Sequence, residues 1–300
     1  MAHMDKPMPE LEELDERIDQ QKPKSEAHPK FSIPAFSVQV ILQLAALLVA
    51  FRFLFPSVWQ RQLDGGVLPV VLTFLGVHLF MCFFEWFFHR YVLHSYLAPI
   101  LARFSRGHRN HHGLTPIKLQ AVAEGSDRYV LNRYPIMDED QHEDSAFPAW
   151  ALVAFWAIFT LPLLGVQLLL PNAPIMLGGY LAIAFSMALY EILHAYEHYP
   201  YEWWKRATEH PTYGPMWSAI YGFHHFHHAN ISANEAISGF FGLPVADWTF
   251  GTYHQPKDLL LEGRVASARD FAVQPPPAWV RALDAWARKR EAELVRSEKH

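Results

Sequence analysis

Three hundred residues allow one large domain or two small ones, and with 51% hydrophobic residues and 15% aromatics a membrane class is open from the start. The net charge of −5 is small and no Lys/Arg run is interleaved with aromatics, so a nucleic-acid partner has no electrostatic footprint here. The single cysteine, Cys82, excludes an intrachain disulfide and any cysteine-based zinc or iron–sulfur site; a metal has to use other ligands, and eighteen histidines offer themselves.

Met1 to Met4 read as a cloning remnant and are set aside. Residues 1–35 form a polar tail in which Leu11, Leu14 and Ile18, at helical spacing, suggest a surface helix followed by a linker. Four apolar stretches come next, roughly 36–56, 67–88, 149–171 and 174–193. Each is close to the ~20 residues that cross a bilayer core. Arg52, near one end of the first, can snorkel to the interface. Four crossings put both termini, 89–148 and 194–300 on one side. Of the 25 Lys/Arg, five lie in 1–35, seven in 89–148 and eleven in 194–300, leaving only Arg52 and Arg61 elsewhere. The positive-inside rule makes that side cytoplasmic. No cleavable secretory signal precedes the first stretch, which is then an uncleaved anchor. Core helices of a soluble protein are the competing reading, but four runs of this length are hard to bury in a globule of this size.

The expected fold is therefore all-α and multi-pass, four transmembrane helices carrying a cytoplasmic helical cap. Residues 36–255 form the transmembrane and histidine-bearing domain and 256–300 a C-terminal tail. In that tail Pro275-Pro276-Pro277 opens an amphipathic helix with Trp279, Leu283, Trp286 and Leu294 on one face. It either lies on the membrane surface or packs on the rest of the body.

The histidines concentrate where the second and fourth spans end. His89 and His94, then His108, His111 and His112, follow the second; His194 and His198, then His224, His225, His227 and His228, follow the fourth. Residues 108–112 hold three and 224–228 hold four, against an average of about 0.3 per five residues at eighteen in 300. On a helix, residues three or four apart share a face and can reach one ion. Adjacent pairs diverge by about 100°, which suits them to two different ions or to one ion and a bridge. His89 and His94, five apart, need a break or a widened turn, or else serve different ions. His78 inside the second span reads as a satisfied core residue, while His142, in an acidic run, and His28, His210, His254 and His300 read as ordinary positions. The clustered histidines outnumber what one structural zinc requires, so a dinuclear centre is the natural inference; imidazole alone suits zinc, iron, copper or nickel. Glu85, Glu191 and Glu197 stand beside the clusters as acceptors for the outer imidazole N–H groups, or as interface charges paired with Arg90 or Arg109.

The order HX4H, HX2HH, HX3H, HX2HH, in two pairs separated by two spans, resembles the fatty acid hydroxylase and sterol desaturase superfamily. Asn234, Gly239-Phe240-Phe241-Gly242 and Asp247-Trp248-Thr249-Phe250-Gly251-Thr252-Tyr253 are similar to that family's downstream segment. The match covers about 67–255. The resemblance implies a dimetal centre near the membrane surface that activates O₂ against an unactivated C–H bond of a lipid. It implies two iron ions per chain, for which zinc can substitute in a purified sample, held by His89, His94, His108, His111, His112, His194, His198, His224, His227 and His228; a frame starting at His225 is also open. The segment before the first span is too short for a fused haem domain, so electrons come from a separate ferredoxin- or cytochrome-type donor with its reductase. Arg103, Arg106, Arg109, Lys205 and Arg206 form a basic patch for that donor or for lipid headgroups. Phe83, Phe84, Trp86, Phe87 and Phe88 either line the substrate path or face lipid and neighbouring helices, and 113–148 shapes the substrate entrance. A desaturase of the same superfamily is the nearest alternative. A divalent-metal transporter or metal-binding membrane protein is the alternative of another class, although transporters hold ions near the bilayer midplane.

Overall fold

The computed structural model describes residues 32–121, 128–138, 141 and 145–298. The N-terminal surface helix with its linker, His28, His142 with most of its acidic run, and His300 lie outside the described residues.

Four helices are long and apolar enough to cross a membrane: α1 (Ile33–Leu54), α3 (Val67–Phe87, continuing as a π-helical turn, Phe88–Leu93), α5 (Ala151–Leu169) and α6 (Ile175–Glu197). Their bounds fall within a few residues of the apolar runs. α1 starts at Ser32, whose Oγ accepts from Ala35 N, with Pro34 in the first turn. The short α2 (Pro56–Asp64) turns the chain back, and Gly66, at φ +77°, opens α3. In α6, 72% of the apolar window is buried, against 11% in α1, so α6 is the central helix and α1 sits at the periphery. It packs most extensively against α3 and α5. Small residues let it do so: a Cβ on Gly178 would lie 2.7 Å from Thr73 of α3, and one on Gly179 2.7 Å from Leu163 of α5. Close helix approach of this kind is how membrane bundles gain dispersion energy where no hydrophobic effect separates helix from lipid. Gln62 and Gln167 are matched inside the bundle: Gln62 Nε2 donates to Gln167 Oε1 at 2.9 Å, and Gln62 Oε1 accepts from Leu177 N. His78 is a satisfied core residue, joined to Ser186 Oγ at 2.8 Å and accepting from Phe241 N.

Beyond the ends of α3 and α6 sits a body of α4 (Ala102–Leu114), α7 (Tyr201–Thr208), α8 (Gly214–Ala229), α9 (Val245–Phe250) and α10 (Ala278–Ser297). The all-α expectation needs one correction: strands β1 (Ile117–Ala121) and β2 (Arg128–Asn132) pair antiparallel, with Ile117 opposite Asn132 and Ala121 opposite Arg128. Val130 also exchanges backbone hydrogen bonds with Arg264 and Gly263, which ties the C-terminal region to the hairpin. α10 packs on the body, burying Val280 and Ala287 beside Trp86 and Tyr91. Three acidic residues at seven-residue intervals, two on it and one at its C-terminal cap, hold the segment after α3: Asp284 pairs with Arg90 at 2.8 Å, Glu291 with Arg109 at 2.6 Å, and Glu298 accepts from Tyr96 Oη.

Because the Gly178 contact sets the spacing of the two spans that deliver His89 and His194, Gly178→Val is expected to destabilise by about 1–3 kcal/mol or more through overpacking and to lower bound metal. Gly76→Val on α3, where a Cβ meets nothing within 4 Å, is expected to change neither. Thermal unfolding and metal content in detergent check both.

Candidate metal centre

The second span reaches the site through a change of winding. From Phe88 to Leu93 the helix is π-helical, and His94 N donates to His89 O, five residues back, at 3.2 Å. That widened turn puts His89 and His94 on one face, so the pair that a regular helix would splay apart serves one group. α4 then brings in His108, His111 and His112, the end of α6 His194 and His198, and α8 His224, His227 and His228.

The ten imidazoles form two groups of five: His89, His94, His108, His112 and His227, and His111, His194, His198, His224 and His228. In each group the ligand atoms all lie within 4.8 Å of one another. Each HX2HH helix serves both: its first and last histidines, four apart, go to one group and its middle one to the other. The groups touch where His112 and His228 stack, ring centroids 4.0 Å apart.

The tautomers say what such a group requires. Nδ1 of His89 meets Glu235 O at 2.5 Å, that of His227 Ala233 O at 2.7 Å, that of His198 Tyr134 O at 2.7 Å and that of His228 Thr115 O at 2.9 Å. A carbonyl only accepts, so each Nδ1 carries the hydrogen and each Nε2 presents a lone pair. Those Nε2 atoms point at other imidazoles: His89 to His108 at 2.8 Å, His94 to His227 at 2.9 Å, and His198 to His111 and His224 at 3.1 Å. Where both partners are in that tautomer, as for His89 with His227 and His198 with His228, whose ligand atoms lie within 4.8 Å, the facing lone pairs repel unless a cation lies between them. A first-row ion binds imidazole at about 2.1 Å, which puts adjacent donors about 3 Å apart and opposite ones about 4 Å apart. The observed spacing fits.

Burial keeps the rings neutral and ready to coordinate: removal from water pulls His198 down to about 3 from the ordinary 6.5 and holds His111, His224 and His228 well below it. The group with His111 is buried throughout, whereas His94 and His112 of the other are partly exposed. His225 belongs to neither. It points away, its Nε2 accepting from Leu260 N at 3.2 Å, which decides the reading frame in favour of His224.

The expected carboxylate partners take other roles. Glu85 accepts from Ser238 N and Oγ, Glu191 from Phe147 N, and Glu197 Oε2 has no hydrogen-bond partner among the described residues. Neither Arg90 nor Arg109 pairs with them; Arg90 binds Glu235 at 2.7 Å and Asp284. Backbone carbonyls orient the histidines instead, and the sequence marks their support only indirectly. Asp247 accepts from Glu235 N and Ala236 N, each at 2.9 Å, and from Thr252 Oγ1, itself held by Trp86 Nε1. Asn234, at φ +60°, bonds Phe223 O and His254 O. The downstream motif thus fixes the loop that offers Ala233 O and Glu235 O, and the hairpin fixes Thr115 O and Tyr134 O. His210 and His254 stand outside the centre, one accepting from Thr212 N and Tyr213 N, the other stacked on Phe226.

Three cavities adjoin the histidines. One of about 50 Å³ lies among α3, α5 and α6, lined by Met81, Phe84, Phe88, Phe155 and Ile183, and reaches His89. The second, about 180 Å³ and more polar, shares Leu93, Phe147 and Tyr190 with it and reaches His108, His194 and Arg103. The third, about 430 Å³, lies between the start of α1 and the end of α6 and reaches His194 and His198. Of the aromatic run, Phe84 and Phe88 line the first cavity, while Phe83, Trp86 and Phe87 pack on Phe250 of α9.

Comparison with known proteins finds no matching family model, no matching curated protein and no matching solved structure.

Two measurements check this geometry. His224→Ala is expected to lose metal, whereas His225→Ala, which strands the Leu260 amide at a cost of about 1–3 kcal/mol, is expected to keep it. Metal analysis of the folded fractions reads the difference. Metal-free protein should also be acid-sensitive in a defined window. His198 and His225 take a proton at about 6.5 when unfolded but only at about 3 when folded, so their stabilisation is complete above pH 6.5 and is lost as the pH falls toward 3. A melting temperature that stayed flat below pH 6.5 would contradict the assignment.

Proposed function

We propose that the chain is a membrane-embedded, O₂-dependent di-iron hydroxylase of a lipid C–H bond, of the fatty acid hydroxylase and sterol desaturase type. The observation that carries the reading is the junction of two five-imidazole groups with an apolar cavity running back among the spans. An acyl chain or ring system reaches the histidines along that cavity without crossing water. The asymmetry of Lys/Arg supports a cytoplasmic side for the histidine-bearing body.

The ten clustered histidines would hold the iron pair, which supplies O₂ activation and oxidation of the C–H bond when bound. The chain does the rest. Carbonyls of Thr115, Tyr134, Ala233 and Glu235 fix tautomer and ring orientation, so that each lone pair is already aimed. Phe84, Phe88, Met81 and Ile183 exclude water and seat the apolar part of the substrate against His89. The polar chamber beside His108 and His194 accommodates the polar end of an amphipathic substrate or the departing product. One oxygen atom enters the lipid as a hydroxyl and the other leaves as water, with two electrons from a separate ferredoxin- or cytochrome-type protein and two protons. A metal transporter fits less well, because these ligands gather at and just past one end of the second and fourth spans rather than along a path through the bilayer.

The test is incubation of membranes holding the iron-loaded protein with a reducing system, lipid and isotopically heavy O₂. Label in a new lipid hydroxyl is expected. A new double bond without label would make the chain a desaturase, and no oxygen-dependent lipid product would reject the reading.

A further inference from the structure

Behind the His111–His228 group lie two tyrosines whose phenol rings the site does not use. Tyr134 and Tyr221 are fully buried, and neither hydroxyl has a hydrogen-bond partner among the described residues. A buried hydroxyl left unpaired costs about 1–3 kcal/mol, and phenylalanine would fill the same space without that cost. A phenol differs from phenylalanine in giving up one electron readily, and indole shares that property. The rings stand in series. Tyr134 lies 4.3 Å from the His198 ring, Tyr221 5.9 Å from Tyr134, Trp204 5.5 Å from Tyr221, and Trp203 5.1 Å from Trp204, all between centroids. The first three are buried and the last, on α7, is 54% exposed.

We propose that Tyr134, Tyr221, Trp204 and Trp203 form a discharge route that carries an oxidising equivalent from the histidine cluster to the protein surface when no substrate C–H bond consumes it. The proposal rests on the oxygen-activating reading above. In the step, Tyr134 would give up one electron toward the histidine cluster and be refilled in turn from Tyr221, Trp204 and Trp203. The three inner rings finish as they began, neutral and protonated. Neither phenol has a base at hydrogen-bond distance to take its proton, so the oxidation is not trapped there and moves on. Trp203 finishes one electron short, releases its indole proton to water and takes a hydrogen atom from a thiol in solution; two thiyl radicals then join as a disulfide. Exposure at Trp203 is what lets the thiol reach it.

Trp286, on α10, is equally exposed at 54% and stands off the route, so it serves as the internal reference. Protein loaded with ferrous iron, free of lipid and O₂, is given one equivalent of hydrogen peroxide; oxidised side chains are mapped by peptide mass spectrometry and radicals followed by freeze-quench electron paramagnetic resonance. Trp203 oxidation several-fold above Trp286 is expected. Tyr221→Phe, which removes only an unpartnered hydroxyl outside the site and keeps the metal, should bring Trp203 down to the level of Trp286 and raise damage at the histidines; Tyr134→Phe, compared at equal metal content, should do the same. Equal oxidation of the two tryptophans, or an excess at Trp203 that survives both substitutions, would overturn the route. Because peroxide supplies the oxidant, this readout does not depend on lipid hydroxylation, and a negative lipid assay leaves it legible.

Discussion

Ten imidazoles whose ligand atoms crowd within 4.8 Å in each of two groups are the constraint on which the rest of the structure depends. Where carbonyls fix two lone pairs toward each other, as for His89 with His227 and His198 with His228, they repel without a cation between them, and burial removes the water that would soften the repulsion. Holding them in place therefore needs a scaffold that is rigid before any ion arrives. The bundle supplies part of it, since α3 and α6 touch across Gly178 and each ends in a histidine pair. The widened turn at Phe88–Leu93 supplies another part, turning two histidines five apart into neighbours.

The remaining elements act on the histidines through the backbone. The β1–β2 hairpin holds Thr115 and Tyr134 at its two ends, and their carbonyls orient His228 and His198. The loop after α8, pinned by Asp247 and Asn234, orients His227 and His89 in the same way. α10 closes the outer side. Its Asp284 meets Arg90, which also holds Glu235, so the C-terminal helix is linked through two buried charges to the carbonyl beside His89. Removing one partner from such a pair leaves a buried charge unmatched, which makes this corner sensitive to substitution. Gly251, at φ +66° and with its Cβ position 3.1 Å from Pro277, lets α9 end just where the chain to α10 passes.

Much of this is legible in the sequence, for identifiable reasons. Span lengths follow from bilayer thickness, so the four apolar runs mark α1, α3, α5 and α6 closely. Helical geometry divides adjacent histidines between two groups, and the five-residue spacing of His89 and His94 announces an irregular turn. Carbonyl acceptors escape because a backbone oxygen has no residue code; Glu85, Glu191 and Glu197 draw attention by charge, yet the orienting groups are peptides of Thr115, Tyr134, Ala233 and Glu235. The hairpin escapes because its strands are five residues each and sit in a segment that reads as a connection. Amphipathy shows that α10 has a face to bury but not what covers it; the acidic stripe Asp284, Glu291 and Glu298 decides it only once Arg90, Arg109 and Tyr96 are seen opposite.

Two five-histidine groups acting as the two ion sites of one centre would put two ions in each chain, which anomalous diffraction at the iron edge from crystals of the iron-loaded protein can locate. Two peaks per chain are expected, one enclosed by His89, His94, His108, His112 and His227 and the other by His111, His194, His198, His224 and His228. A single peak, or iron bound away from both groups, would contradict that arrangement.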